Sequence, residues 1–326
     1  MLCVISFKPL ASPSATLTFA LPLPRPPLHV QTYGTLVSRS FAAAFDKYVP
    51  DLVVSVHPLM QHIPIRVLQR RRARTRAKPP PFTTVVTDLT SCHPTWFHRG
   101  VAACFVPTPE VEVLALKAGL AKHQIIMHGL PIRPAFASRL PPLDKLRKQL
   151  GIDPKGPVIL LMGGGEGMGL LEATCEALGK QLPAHAQVVV VCGRNKALAA
   201  KLSGRVSSYT CTVHVKGFLT NVDEWMGASD LVITKAGPGT IAEALIRGVP
   251  LMLNGAIPCQ EEGNVPYVVD NGVGRFSTDP GAIAKQVADW CGAGAAELAE
   301  MAKRAKALGR PHATFDIVED LAALTP

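Results

Sequence analysis

Asp230-Leu231-Val232-Ile233-Thr234-Lys235-Ala236-Gly237-Pro238-Gly239-Thr240-Ile241-Ala242-Glu243-Ala244-Leu245-Ile246-Arg247-Gly248 runs a buried-strand pattern into a glycine turn and then into a short helix. Asp230 to Thr234 reads as a strand from its apolar, partly β-branched composition, and Ile241 to Arg247 reads as a helix that Gly248 ends. The free N–H groups of that helix point at the turn. Together with the positive end of the helix dipole they attract an anion, the dipole term being worth roughly 0.3–2 kcal/mol. Gly237 and Gly239 let the backbone approach closely, and Lys235 adds a point charge. A phosphate fits there. A plain strand-to-helix connection has the same outline, so the neighbouring segments carry the decision.

Working outward, strands read at Val158 to Met162, Gln187 to Cys192, Thr212 to Val215, Asp230 to Thr234 and Pro250 to Asn254. Helical patterns lie between them at Leu170 to Leu182, Lys196 to Ser203, Val222 to Ala228 and Thr240 to Arg247. Strands apolar throughout imply a doubly wound parallel sheet buried on both faces, and such sheets bind ligands beyond the carboxyl ends of their strands. Each strand end here carries a polar or glycine-rich set. Gly163-Gly164-Gly165-Glu166-Gly167-Met168-Gly169 follows the first and resembles a dinucleotide fingerprint only loosely, because no acidic residue stands where a ribose contact is expected. Gly193-Arg194-Asn195 follows the second, and Arg194 can fork onto phosphate or cap a carboxylate. After the third comes Gly217-Phe218-Leu219, where Phe218 can wall in a base or fill core. Glu243 can accept two ribose hydroxyls or complement the helix dipole. Gln260-Glu261-Glu262-Gly263-Asn264 suits sugar hydroxyls or a solvated acidic helix start.

The first half is less regular. Asp51 to Val56, Thr83 to Thr87, Ala102 to Val106 and Ile125 to His128 read as strands of another α/β unit. Proline-rich ends around a basic stretch at 141–156 read as a linker, Pro280 to Trp290 and Ala295 to Leu308 as closing helices, and the tail after them is expected to pack back across the cleft. At 326 residues the chain is expected to hold two domains with a cleft between them, 31–140 and 157–326, after an N-terminal stretch 1–30. Residues 1–28 contain no Asp or Glu, a composition shared by transit peptides and by unstructured or misassigned starts. Lys plus Arg exceed Asp plus Glu by 34 to 24, which favours anionic partners. Seven of these charges, Arg66, Arg70, Arg71, Arg72, Arg74, Arg76 and Lys78, sit between two strands, as an anionic-lipid dock or a solvated loop. Eight cysteines are scattered with no CxxC pair and no zinc spacing, so no structural metal and a reduced compartment are expected. No apolar run approaches the length of a spanning helix, so any membrane association is expected to be peripheral.

Taken together, the strand-end strings, with Val215-Lys216-Gly217-Phe218 and Gly263-Asn264-Val265-Pro266-Tyr267, resemble the plant and algal monogalactosyldiacylglycerol synthases. So do Ser55-Val56-His57-Pro58-Leu59-Met60-Gln61-His62, Thr87-Asp88-Leu89 and Cys92-His93-Pro94-Thr95-Trp96-Phe97 in the first half. The resemblance runs from about residue 31 to the end. It implies an α/β fold of the GT-B type, two facing Rossmann-like domains, with the N-terminal one apparently truncated.

By that resemblance the chain is an inverting glycosyltransferase that moves galactose from UDP-galactose to diacylglycerol on the plastid envelope of the chloroplast, with no cofactor and no nucleotide-bound metal. The nucleotide sugar is then expected at Arg133, Gly163, Gly164, Gly165, Glu166, Gly167, Gly193, Arg194, Gly217, Phe218, Leu219, Thr220, Lys235, Gly237, Pro238, Gly239, Thr240, Glu243, Gln260, Glu261, Gly263 and Asn264. Base and ribose fall to Phe218 and Glu243, diphosphate to the glycine turns, and galactose hydroxyls to Gln260 and Glu261. His57, His93, Trp96, Phe97 and His98 are expected on the acceptor side. Diacylglycerol and anionic membrane lipids are the implied partners, with a possible homodimer and no nucleic acid. The family's first domain opens with a strand and a Gly-Gly-Gly-His motif that carries the expected base. Residues 1–30 hold only His29, without the glycines, so no catalytic base is named and a weakly stable first domain is expected. Two further readings stand beside this one: a silent UDP-sugar or lipid-binding protein, and a related transferase with a prenyl-linked cell-wall acceptor.

Overall fold

Apolar runs of the second half form strands close to where the residue pattern sets them. In the computed structural model, which describes residues 2–5, 30–163 and 170–325, the chain divides into two units, 1–131 with 312–326, and 132–311.

The first unit contains β1 (Leu2–Ile5), α1 (Val30–Tyr48), β2 (Leu52–Ser55), α2 (His62–Thr75), β3 (Phe82–Val85), β4 (Ala103–Val106), α3 (Pro109–Lys117) and β5 (Ile125–Met127). Its sheet has the order β1-β2-β3-β4-β5, parallel except for β1, which runs antiparallel to β2 with Cys3 opposite Val54. The edge of β2 that would lie open without a first strand is therefore paired, which removes one reason for a weak first domain. Residues 6–29, His29 among them, lie outside the described residues.

One face of this sheet packs Val53, Phe82 and Cys104 against Phe45, Ile65 and Leu68 of α1 and α2. The other face, Leu52, Val54, Val85, Ala103 and Phe105, is covered by Ile317 and Leu321 of the closing helix Ala313–Ala323. His128 Nε2 and Asp320 Oδ2 lie 2.7 Å apart and tie that helix to the end of β5. The tail, numbered above with the second domain though expected to pack back from it, thus belongs to the first unit, because two apolar side chains complete a core there. The basic segment also departs from a loop. Arg66 to Arg74 lie on α2, whose Pro64, Ile65, Val67 and Leu68 are buried while Arg66, Arg70, Arg72 and Arg74 are exposed.

The second unit runs α4 (Leu143–Gln149), β6 (Val158–Met162), α5 (Leu171–Gln181), β7 (Gln187–Val191), α6 (Lys196–Ser203), β8 (Thr212–Lys216), α7 (Val222–Gly227), β9 (Leu231–Thr234), α8 (Pro238–Arg247), β10 (Leu251–Leu253), α9 (Asn264–Asp270), β11 (Gly274–Phe276), α10 (Pro280–Trp290) and α11 (Ala295–Leu308). Its six strands are all parallel, in the order β11-β10-β9-β6-β7-β8. The strand sequence reverses between β6 and β9. In open parallel sheets such a reversal is where ligands bind, beyond the carboxyl ends of the strands.

The stretch expected as a linker is anchored in this unit. Arg147 of α4 is 3% exposed and donates to the carbonyls of Ala228, Pro154 and Gly156 and to Asp230 Oδ2, 2.8 Å away. Asp230 Oδ2 also accepts from the Val158 amide, so one carboxylate ties α4 to the starts of β6 and β9. Satisfying every polar atom is what makes so buried a guanidinium tolerable.

Candidate functional site

All six strands of the second unit point the same way, so the carboxyl ends of β6, β7, β8, β9 and β10 share one edge of the sheet. The turn after β9 lies at the reversal point. Gly237 caps the start of α8 with no side-chain hydrogen bond, Pro238 fills the first helical position, and Gly248, at φ 74°, ends the helix in the left-handed region. Neighbouring strand ends are pinned: the Ala236 amide donates to Gly255 O at 2.7 Å and the Asn254 amide to Thr234 O at 2.9 Å. Lys235 Nζ pairs with Glu261 Oε1. Glu261 is 3% exposed and its other oxygen accepts from the Ile257 amide at 3.0 Å. Asn264, also buried, donates from Nδ2 to Ala236 O at 2.9 Å, while Gln260 is exposed and Gly263 half-buried.

One turn into α8, Glu243 Oε1 lies 3.1 Å from Arg133 Nη2. Burial pushes the Glu243 carboxyl above the usual range, and Arg133 pulls the other way. Arg133 also stacks over the Phe136 ring at 4.9 Å. After β7, Gly193 takes φ 58°, Arg194 is exposed, and the Asn195 side chain caps α6 by accepting from the Leu198 amide. The guanidinium of Arg194 lies 5.2 Å over the ring of Phe218, which is 57% exposed beyond β8. Gly217 and Thr220 are exposed beside it and Leu219 is half-buried. Phe218 is thus a surface ring beside a cation and not core. Gly163 ends β6 half-buried, and Gly164, Gly165, Glu166 and Gly167 lie outside the described residues.

In the first unit, His57 follows β2, and its Nδ1 accepts from the Leu59 amide at 3.2 Å. His93 Nδ1 accepts from the Thr95 amide at 3.3 Å and His98 Nδ1 from the Gly100 amide at 3.0 Å. Each imidazole, when neutral, therefore carries its proton on Nε2 and offers a donor there. Burial holds His57 and His98 below the ordinary imidazole value. Trp96 and Phe97, expected to shape the acceptor side, are 1% and 5% exposed and belong to the core, because their side chains turn under the 3-10 turn Pro94–Trp96. Trp96 Nε1 donates to Asp88 Oδ2 at 2.7 Å, which brings Asp88, a residue with no role assigned from its motif, into this group. His62 joins them, its ring meeting that of His98 edge-on at 4.9 Å.

The model for the monogalactosyldiacylglycerol (MGDG) synthase family matches residues 26–132, and that for the glycosyltransferase family 28 C-terminal domain matches residues 158–308. A probable chloroplastic monogalactosyldiacylglycerol synthase of Glycine max is 53% identical over 88% of this chain and 54% of its own length. Monogalactosyldiacylglycerol synthase 1 of Arabidopsis thaliana is 52% identical over the same shares. The chain belongs to the monogalactosyldiacylglycerol synthase family. It spans about half the length of the curated synthases it matches.

Solved structures agree on the fold. MurG of Acinetobacter baumannii superposes with a TM-score of 0.68 at 15% identity, covering 91% of this chain and 82% of that one. Anabaena HepE in complex with UDP-glucose gives 0.54 at 18%, over 90% and 84%. Two α/β units on parallel sheets are the GT-B architecture of this synthase family, the antiparallel β1 being a local departure. Among the described residues no group of His, Cys, Asp and Glu is arranged to hold a metal ion, and no helix is long and apolar enough to cross a membrane. Burial pushes the thiols of Cys104, Cys175 and Cys291 up to about 12, so they are unreactive at neutral pH.

Proposed function

We propose that this chain carries the donor site and part of the acceptor domain of an inverting UDP-galactose:diacylglycerol galactosyltransferase that works peripherally on the chloroplast envelope. The observation that supports it most is the set at the β6/β9 reversal. An uncapped helix N-terminus, a lysine beside it and a half-buried carboxylate one turn along match diphosphate and ribose in order. HepE, of the same fold, is described in complex with UDP and with UDP-glucose.

In this reading the base stacks near Phe218 and Arg194, and Glu243 accepts the ribose hydroxyls. The diphosphate lies across Gly237 to Thr240, with Arg133 and Gly193 at its margins. As the glycosidic bond breaks, charge builds on the departing UDP. Lys235 and the first amides of α8 are already oriented toward it, so they stabilise the transition state without reorganising. No nucleotide-bound metal has a part in this proposal. Gln260 and Gly263 line the galactose side, and the donors of His57, His93 and His98 face the lipid. A base must deprotonate the glycerol hydroxyl, and with Nδ1 committed to backbone amides none of these three supplies it from the neutral tautomer shared by all of them.

The test is galactose transfer from labelled UDP-galactose to diacylglycerol in mixed micelles, alongside calorimetric UDP binding. Labelled monogalactosyldiacylglycerol is the expected product. UDP binding without turnover would leave a silent nucleotide-sugar binder, and absence of UDP binding would remove the reading altogether.

A further inference from the structure

Glu261 reads from sequence as a carboxylate for galactose hydroxyls, yet it lies inside, at 3% exposure, with both oxygens engaged. One faces Lys235 Nζ and the other accepts the Ile257 amide. A Cβ built on Gly237 would stand 3.3 Å from Lys235 Nζ and 3.7 Å from Glu261 Oε1, so the pair rests directly on the residue that starts α8. Asn264 ties the same segment to Ala236 O. A flexible ammonium on a four-carbon stem is thereby held at one point, at the positive end of a helix.

We propose that Glu261 is a positioning residue: through its buried carboxylate it fixes the Lys235 ammonium before the first turn of α8, leaving two N–H donors for the diphosphate of a nucleoside diphosphate sugar. This rests on the donor-site reading above.

The experiment is a double-mutant cycle on Glu261→Gln and Lys235→Ala, read as affinity for UDP and for uridine. Each single variant is expected to weaken UDP about tenfold, the range of a charge-assisted hydrogen bond, and to leave uridine unchanged. The double variant should match Lys235→Ala. Glu261→Asp, which keeps the charge on a shorter arm, should recover part of the loss. Additive losses, an unchanged UDP affinity in Glu261→Gln, or an equal loss for uridine would overturn the proposal. If Lys235→Ala alone binds UDP normally, the donor-site reading itself fails. Should Glu261→Gln not fold, Lys235→Met is compared with Lys235→Met/Glu261→Met, which replaces the buried pair by apolar side chains. Equal UDP affinities support positioning, and a further loss in the second overturns it.

Discussion

Glu243 sits where two demands conflict. Its side chain is 13% exposed, burial raises its pKa, and the Arg133 guanidinium 3.1 Å away only partly offsets this. A carboxyl whose folded pKa lies above its unfolded value opposes folding when charged, so its contribution to stability is present at low pH and lost as pH rises through the folded value. Binding has the opposite preference, since ribose hydroxyls donate best to the ionised form. UDP affinity, titrated by calorimetry between pH 4 and 8, should therefore fall on acidification from a higher pH than an ordinary Glu would give. Arg133→Ala should move that fall to still higher pH. Glu243→Gln should weaken UDP about tenfold and raise the melting temperature by about 2 °C, a trade of stability for function. An unshifted pH profile in Arg133→Ala would sever the link between the ion pair and the nucleotide.

Helix α2 shows how an element escapes sequence reading. Its buried Pro64, Ile65, Val67 and Leu68 crowd into the first two turns, and the rest is polar and basic apart from Ala73, so no sustained apolar stripe announces it. The closing helix Ala313–Ala323 escapes it for another reason: the sheet face that Ile317 and Leu321 cover is made of residues more than 200 positions upstream. By contrast β6 to β10 were legible because strands buried on both faces spell continuous apolar runs, as Val188-Val189-Val190-Val191 does. The site followed the same rule. Strand-end glycines and Glu243 can be read locally, but the Lys235–Glu261 pair joins residues 26 apart and the burial of Trp96 depends on the fold around it. Helix α2 also carries its own expectation. Arg66, Arg70, Arg72 and Arg74 are exposed, while Arg71 is paired with Asp46 at 2.8 Å. Replacing those four by Ala preserves helix propensity and removes charges worth about 1 kcal/mol each near an anionic surface. Flotation with vesicles containing anionic lipid should show binding weakened by about a hundredfold or more at low salt, with neutral vesicles unaffected. Unchanged flotation would make α2 a merely solvated face.

At the scale of the molecule, each unit closes its own core. The first joins Val53, Phe82 and Cys104 to α1 and α2 on one face and takes Ile317 and Leu321 on the other, whereas the second packs α5 and α10 on Ile159, Leu161 and Val190. The chain passes between them at residues 131–132 and again at 311–312, so the last 15 residues serve a core begun at the opposite end of the sequence. Two thermal transitions are therefore expected, and ligand and truncation should act on different ones. UDP at a hundred times its dissociation constant adds about 2.7 kcal/mol to whatever binds it. If the donor site lies wholly on the second unit, scanning calorimetry should show one transition rising by several degrees and the other staying put. Ending the chain after Pro311 uncovers Leu52, Val54 and Phe105 and should lower the transition that UDP leaves alone, by the several kcal/mol typical of emptied core positions. A single transition that UDP and truncation move together would mean that the units unfold as one body, and the division of labour between donor and acceptor halves would have no thermodynamic counterpart.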